Sequence, residues 1–572
     1  MIGGRRRAPI RGVLHDVAGF SGIAERGPVA SAVRVESVEE FERVFGGPVP
    51  EGFLAPSVHL FFDNGGRAAW IVRVAHAETM ATARLFVTRD GFPTLRVEAA
   101  SPGRWGNCVR VRIEPTSPEE FTLRVNAPGR AEEVWPGLSL GRLADPDTRP
   151  AGLSSLSVSL EEPPVAPATF GRRAGGVSVL RTAPVAAVEK SGNPTVISFD
   201  NLSPHEAQLA GGRDGLGGLN AEDFGTDTAR PVGLKVLEEV DEVALLALPD
   251  LVWQAPLPIS DVPEPPSFRC EDYFTRGAAP VPPEPEPDPL SPEPRRPLTL
   301  DEQDRLRREM VAQARRQRDR FAILDSAHPS DLRCIFDDGN PDPGDQRMTD
   351  GEFGAIYFPW IKTSVTGINA LLPPSGAMAG IFARTTLRDG PQVAPANERL
   401  EKVTGLAYHV SDTEHALLNA ARVNVLRSVP GRGLRPMGAR TRRKDGPFRQ
   451  IAIRRLVNFI VETLDEETQW LVFEPNDSDT RGELERAVRG LLDRIWRQGM
   501  LDGARPEEAY SLSAGPAVNP PDSIAAGRLV CECAFRPPWP AEWLRVRLVR
   551  GEGGLELAGL DTGASPDETR EA

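Results

Sequence analysis

This chain lacks any apolar run long enough to cross a bilayer: the longest, such as Val243–Leu248, fall far short of the roughly 20 residues that a spanning helix needs. Its opening, MIGGRRRAPIRG, is basic but has no apolar core behind it, so the pattern of a secretory signal is missing. Cysteine is scarce. Cys108, Cys270, Cys334, Cys531 and Cys533 are scattered, which implies no disulfide framework and fits synthesis in a reducing cytosol. Cys531 and Cys533 fall in the apolar run LVCECAF and would share one face of a strand. A zinc half-site is one reading; two small buried side chains is the other, favoured because no second pair or histidine is near.

The signatures of catalysis are missing too. The 7 histidines are dispersed, and His409 and His415 do not have the i, i+4 spacing of a helical zinc pair. GGRDGLGG at Gly211–Gly218 is glycine-rich, but no Gly-Lys-Ser/Thr follows it and the G-x-G-x-x-G spacing is absent, so it reads as a loop lying against a neighbouring backbone. No G-x-S-x-G elbow and no plausible Asp/His/Ser set is found. The expectation is a protein that is not an enzyme and uses no cofactor or metal.

What is present is ordinary globular composition over a long chain. At 572 residues, about three or four domains are expected. A net charge of −14 argues against a general nucleic-acid binder, while local basic patches remain open.

Residues Val13–Val74 read as α/β. A small-residue strand, GVLHDVAGFSGIAE, precedes a helix FERVFGG that Ser37 and Glu40 cap as a box, and WIVRV at Trp70–Val74 is a short buried strand. From about Leu85 to Phe199, runs such as CVRVRI, FTLRV and VSVLR alternate with turn residues and suggest an all-β region. Pro231–Trp253 returns to α/β character, with VALLALPDL as a strand of the kind buried on both faces. The Pro- and Glu-rich Pro280–Pro297 reads as an extended surface loop. Thr299 and Glu302 then cap a helix over Leu300–Arg320, and Phe321–Leu324 is the next strand. Ser411 and Glu414 cap a helix running through about Arg427. Arg454–Glu467 is a second helix and Ser478 opens a third, with Leu484, Val488, Leu491, Ile495 and Trp496 on one face. Trp470–Phe473, Arg528–Phe535 and Trp543–Val549 read as strands, and the tail from Asp561 as a polar, disordered end.

Several segments in fixed order resemble the tail sheath family of contractile phage tails, R-type pyocins and extracellular injection systems. They are PIRGVLHDVAGFSGIAERGPV with FERVFGG, SPGRWGN at Ser101–Asn107, LAGGRDG at Leu209–Gly215 with GLKVLEEVDEVALLALPDLV, and the long stretch Tyr357–Thr385. APANE at Ala394–Glu398, VPGRG at Val429–Gly433, GART at Gly438–Thr441 and QWLVFEPND at Gln469–Asp477 complete the series. The resemblance covers most of the chain. It implies a multidomain α/β and α+β protein: a short N-terminal arm (1–12), an N-terminal α/β part of the core (13–78), an inserted all-β domain (79–200), a subtilisin-like α/β central domain (201–428) with a Pro-rich loop (255–298), a C-terminal core domain (429–550) whose sheet neighbouring subunits complete, and a C-terminal arm or tail (551–572).

It also implies a function: a structural subunit that polymerises with itself as stacked helical rings around an inner tube protein, meets baseplate and cap proteins, and contracts to drive the tube through a target envelope. Assembly in the cytoplasm, release as part of a phage tail or injection particle, no nucleic acid and no direct membrane insertion follow. A strand lent to a neighbour's open sheet edge would hold such a lattice together. Ile10 and Val13 in a short N-terminal arm, and Trp543, Leu544, Val546 and Leu548 in the alternating strand EWLRVRLVR, are the expected arm residues. Either that strand or the following LELAGL is the expected donated C-terminal arm, with a core strand of its own subunit as the competing reading. Family members usually begin with a longer extended arm, whereas only MIGGRRR precedes Ala8-Pro9-Ile10 here. That departure points to a misplaced start codon, a shorter arm over Gly3–Val13 or a special position, so a sheath-like cap or baseplate-proximal adaptor is the alternative; a hydrolase ranks below both.

Arg440, Arg442 and Arg443 cluster with Arg432, Arg435 and Lys444 in an otherwise acidic chain. They read either as a contact to the tube or a neighbour or as a solvated loop. Arg486, Arg489, Arg494 and Arg497 on the third C-terminal helix pose the same choice.

Overall fold

The computed structural model describes residues 15–89, 92–117, 120–128, 130–139, 158–161, 195–198, 205–226, 230–254, 293–331, 351–365, 370–526, 528–538, 543–551 and 554–563. The N-terminal arm with Ile10 and Val13, the run VSVLR, the segment 255–292 and the end of the tail lie outside the described residues.

Apolar, β-branched and small residues from two distant stretches build one central sheet. Its order is Ala32–Val35, Ala69–Arg73, Ala18–Gly22, Leu245–Ala247, Phe321–Asp325, Gly354–Phe358, Val423–Val429 and Gly433–Met437. The inner strands run parallel and the outermost strand at each edge is antiparallel. The two α/β stretches read separately in the sequence therefore share a single sheet. Both faces are covered, as parallel strands require. One face carries the helices Val38–Phe45, Leu54–Asp63 and Ser375–Asp389, packed through Phe20, Phe61, Phe321, Tyr357 and Phe382. The other carries Leu234–Glu238 and Leu300–Gln317 through Leu237, Leu246, Leu306, Met310 and Leu324. The helix Ser375–Asp389 crosses Leu54–Asp63 at glycine: a Cβ on Gly376 would stand 2.4 Å from the Ser57 carbonyl oxygen, and one on Gly380 2.5 Å from that of Phe61.

Between the two halves of that sheet the described residues form a two-stranded pairing of Met80–Ala81 with Arg213–Asp214 and two four-stranded sheets. Their orders are Val158–Glu161, Phe92–Ala99, Arg84–Arg89, Thr195–Ser198 and His205–Gln208, Arg110–Pro115, Phe121–Asn126, Glu133–Leu138. Leu85, Val97, Val111, Leu123 and Trp105 fill the core beneath them.

Local signals met mixed outcomes. Thr299–Glu302 and Ser411–Glu414 both close as capping boxes. Ser37 accepts from the Glu40 N–H, but the Glu40 carboxylate reaches the N–H of Glu36 instead, so that box is half made. The helix opened by Ser411 stops at Ala420, not near Arg427. Arg422 turns left-handed at φ 61° and the β-branched Val423 and Val425 enter the central sheet. Trp470–Phe473 is not a strand: Gln469–Phe473 forms a 3₁₀ turn directly after a helix, where Leu471 reaches the C-terminal core. The strand expected from VALLALPDL is only Leu245–Ala247, because Pro249 starts a short 3₁₀ turn.

Candidate assembly surface and its anchorage

The C-terminal unit is a second, separate core. Helices Ile451–Glu467 and Ser478–Arg497 lie on an antiparallel sheet ordered Tyr510–Ser513, Leu529–Phe535, Trp543–Gly551, Gly554–Gly563. Leu456, Val457, Val488, Leu491, Ile495, Cys531, Cys533 and Phe535 fill it. The two cysteines are thus core side chains, and burial raises the Cys533 thiol to about 12. Asn519 fastens the turn before the second strand: its amide donates to the Ala514 and Val530 carbonyls (2.9 and 2.7 Å) and its oxygen accepts from the Val530 N–H (2.8 Å).

Trp543–Gly551 is an inner strand of this sheet. Its register runs Phe535↔Leu544 to Leu529↔Arg550 on one side and Trp543↔Gly563 to Gly551↔Gly554 on the other, with a bulge at Arg547/Leu548. Leu544 is buried in the core, and Arg547 is exposed beside Glu532. Trp543, Val546 and Leu548 occupy the same strand. The outer strand is Gly554–Gly563. Among the described residues nothing pairs with its far edge. At the opposite edge the strand is short, Tyr510–Ser513, and the Tyr510 hydroxyl donates to Asp493 on the helix.

The arginines sort by surroundings. Arg442 is withdrawn from the surface, and its guanidinium donates to the Ala421 carbonyl at 2.7 Å; it does not belong to an exposed contact patch. The reason is tertiary: the turn at Ala421 and Arg422 supplies carbonyl partners for its guanidinium, and the Gly351 and Gly354 carbonyls accept from its backbone N–H. Arg440 and Arg443 stay exposed, the first donating to the Asn419 carbonyl (3.2 Å) and the second pairing with Glu352. On Ser478–Arg497, Leu484, Val488, Leu491 and Ile495 face inward while Arg486, Arg489 and Arg497 are exposed; Arg489 pairs with Glu485 at 2.9 Å.

What joins this unit to the central sheet escaped the sequence reading. Ile451–Glu467 is apolar toward the C-terminal core and polar on its other side. Arg455 donates to the His15 carbonyl (2.9 Å) and the Thr386 hydroxyl (2.7 Å), and lies 5.1 Å from the Phe382 ring. Arg454 meets Glu352 at 3.1 Å and sits 4.5 Å from both Phe353 and Phe448. Asn458 donates to the Arg320 carbonyl at 3.0 Å. His15 Nδ1 is 2.9 Å from Glu462. Burial drives that pair toward its neutral forms, pushing the imidazole down to about 3 and the carboxyl up to about 9. The signal available beforehand was Arg-Arg in the middle of an apolar helix, IAIRRLVNFIV, where exposed positions are few.

Other histidines also have structural partners: His59 lies 3.2 Å from Glu42 and His76 3.0 Å from Asp223.

A layered α/β body carrying a separate helix-on-sheet unit whose outer strand is unpaired among the described residues defines an architectural class, and comparison with known proteins narrows it. Residues 443–549 match the phage tail sheath C-terminal domain, and the chain as a whole has the tail sheath fold. The tail sheath protein of Burkholderia phage BcepMu is 29% identical over 200 residues, a stretch covering 33% of this chain and 41% of that protein. The chain therefore aligns with less than half the length of this curated relative. The sheath tail protein of Listeria innocua is 12% identical with a TM-score of 0.56, covering 95% of this chain and 96% of that one. The helical sheath of the anti-feeding prophage in its contracted state is 17% identical with a TM-score of 0.50, covering 94% and 93%.

Proposed function

We propose that this chain is a structural subunit of a contractile tail sheath, polymerising with copies of itself as helical rings around an inner tube and shortening to drive that tube through a target envelope. The observation that carries the reading is the matched sheath C-terminal domain ending beside an open strand, Gly554–Gly563. An unpaired edge of that length is a template for another chain's backbone. A contact between unlike surfaces of identical copies propagates as a helix.

In this reading the central sheet corresponds to a subtilisin-like domain, and the two small sheets between Arg84 and Gln208 to an inserted all-β domain. Trp543, Leu544, Val546 and Leu548 lie on the strand that carries the edge, and Ile10 and Val13 belong to an N-terminal arm. Exposed Arg440, Arg443, Arg486, Arg489 and Arg497 face the tube or a neighbouring subunit. Assembly takes place in the cytoplasm, the finished particle is released, and baseplate and cap proteins bound the lattice. The chemistry is mechanical and consumes no nucleotide.

Sedimentation and negative-stain microscopy of the purified chain test this. The native chain gives hollow cylinders or stacked rings. A chain truncated after Gly551 keeps its helical circular dichroism and stays dispersed. Cylinders from the truncated chain would remove the open edge from the account.

A further inference from the structure

The glycine-rich run Gly211–Gly218 does lie against neighbouring backbone: a Cβ on Gly212 would stand 2.3 Å from the Gly103 carbonyl oxygen. Gly215 has a positive φ of 74°, a conformation open to glycine, and the N–H groups of Asp214, Gly215 and Leu216 on either side of it converge on one point. Those groups are occupied. The Glu293 carboxylate accepts from the N–H of Asp214 (2.7 Å), Gly215 (3.1 Å) and Leu216 (3.1 Å), from a position 77 to 79 residues away in sequence.

Two residues further on, Arg295 enters a fully buried site. It donates to the carbonyls of Asp250 (2.7 Å) and Glu51 (2.5 Å), stands 3.3 Å from the Asp250 carboxylate and lies 4.6 Å from the Trp253 ring. The same Asp250 carboxylate accepts from the N–H groups of Ile23 (2.7 Å) and Phe53 (2.6 Å). Arg296 then pairs with Glu302 (2.9 Å), the residue that completes the capping box of Leu300–Gln317. Across the loop, Asp214 accepts from the backbone N–H and side chain of Arg104 (2.9 and 2.8 Å), and Arg104 opens the 3₁₀ turn beneath the β-rich sheets.

We propose that Asp214–Leu216 is a carboxylate-binding nest whose ligand is the chain's own Glu293, and that Glu293–Leu298 is thereby a strap locking the β-rich region onto the central sheet. The nest reads the β-rich side through Arg104 and Gly103. Arg295 reads the central sheet through Asp250. The long helix holds the strap's far end. One segment of chain thus ties three parts that share no continuous backbone at this point, and both oxygens of a single carboxylate serve the three N–H groups. The strap is independent of whether the chain polymerises.

Hydrogen exchange on the full-length chain tests it. Glu293→Ala should speed exchange of the Asp214, Gly215 and Leu216 amides by about tenfold or more, the scale of lost charge-assisted bonds. Sodium acetate should restore protection in Glu293→Ala, while sodium chloride at equal ionic strength should not. Should Glu293→Ala fail to fold, Glu293→Gln keeps the shape and should give intermediate exchange. Amides as protected in the variants as in the native chain would overturn the proposal, as would accelerated exchange in Glu293→Ala that acetate leaves unchanged.

Discussion

The central sheet and the C-terminal sheet solve the same packing problem with opposite consequences. The central sheet is covered on both faces, and its strands are drawn from residues as far apart as Ala18 and Met437. Its closure depends on contacts that only the whole chain supplies. The C-terminal sheet is antiparallel and local, its strands all falling between Tyr510 and Gly563, and among the described residues its outer edge is open. A region built from distant pieces resists piecemeal change, whereas a local sheet with a free edge can accept or exchange a strand without disturbing the rest. The two meet at one helix, Ile451–Glu467, whose apolar side belongs to the second and whose arginines belong to the first.

The largest effects separate the two cores. Phe382 is fully buried against Phe321, Tyr357 and Arg455. Phe382→Ala should cost about 3–5 kcal/mol and loosen both regions, since Arg455 leans on the same ring. Leu491→Ala should cost about 2–5 kcal/mol and show its hydrogen-exchange change only between about 448 and 550. If Leu491→Ala speeds exchange equally in the central strands, the two regions are one cooperative unit and the contrast fails.

The joint itself is pH-dependent. Glu462 holds its proton in the fold up to about 9, well above the usual carboxyl range, so the folded chain binds more protons than the unfolded one and stability falls as pH rises toward that value. His15, lowered to about 3, acts in the opposite sense, its contribution being lost as pH falls from the usual imidazole range toward 3. Between roughly pH 6.5 and 9 only the carboxyl of this pair changes state between folded and unfolded chains. Across that window the native chain should lose up to about 1.4 kcal/mol per pH unit relative to Glu462→Gln, read as diverging denaturant midpoints. Parallel pH profiles would mean that the pair is solvated.

Surface charge should matter least to folding. Arg440→Glu with Arg443→Glu should change stability by no more than about 1 kcal/mol. In the sheath reading, the same double variant should weaken assembly in a manner that depends on ionic strength, measured by sedimentation from low to high salt.

What the sequence disclosed was local or patterned. Thr299–Glu302 and Ser411–Glu414 announce helix starts because both partners of each box lie within four residues. The apolar face of Ser478–Arg497 repeats at helical spacing, and the order of short motifs carried the family resemblance. The end of the Ser411 helix was missed because HALLNAARVNVL is apolar at helical spacing, and the sheet claimed the valines. Trp470–Phe473 has strand composition but pairs with no strand among the described residues. Arg442 read as surface charge because its carbonyl partners at Ala421 and Arg422 cannot be inferred from its own neighbourhood. The same holds for Arg455 with His15 and for Glu293 with its nest, whose partners are set only by the tertiary fold.

Electron cryomicroscopy of assembled full-length protein, at a resolution that traces the strands Trp543–Gly551 and Gly554–Gly563, addresses the claim that this chain is a lattice subunit. The account predicts a hollow helical array in which backbone of one copy hydrogen-bonds to the C-terminal sheet of another. Dispersed single copies with that sheet edge facing solvent at every concentration would contradict it.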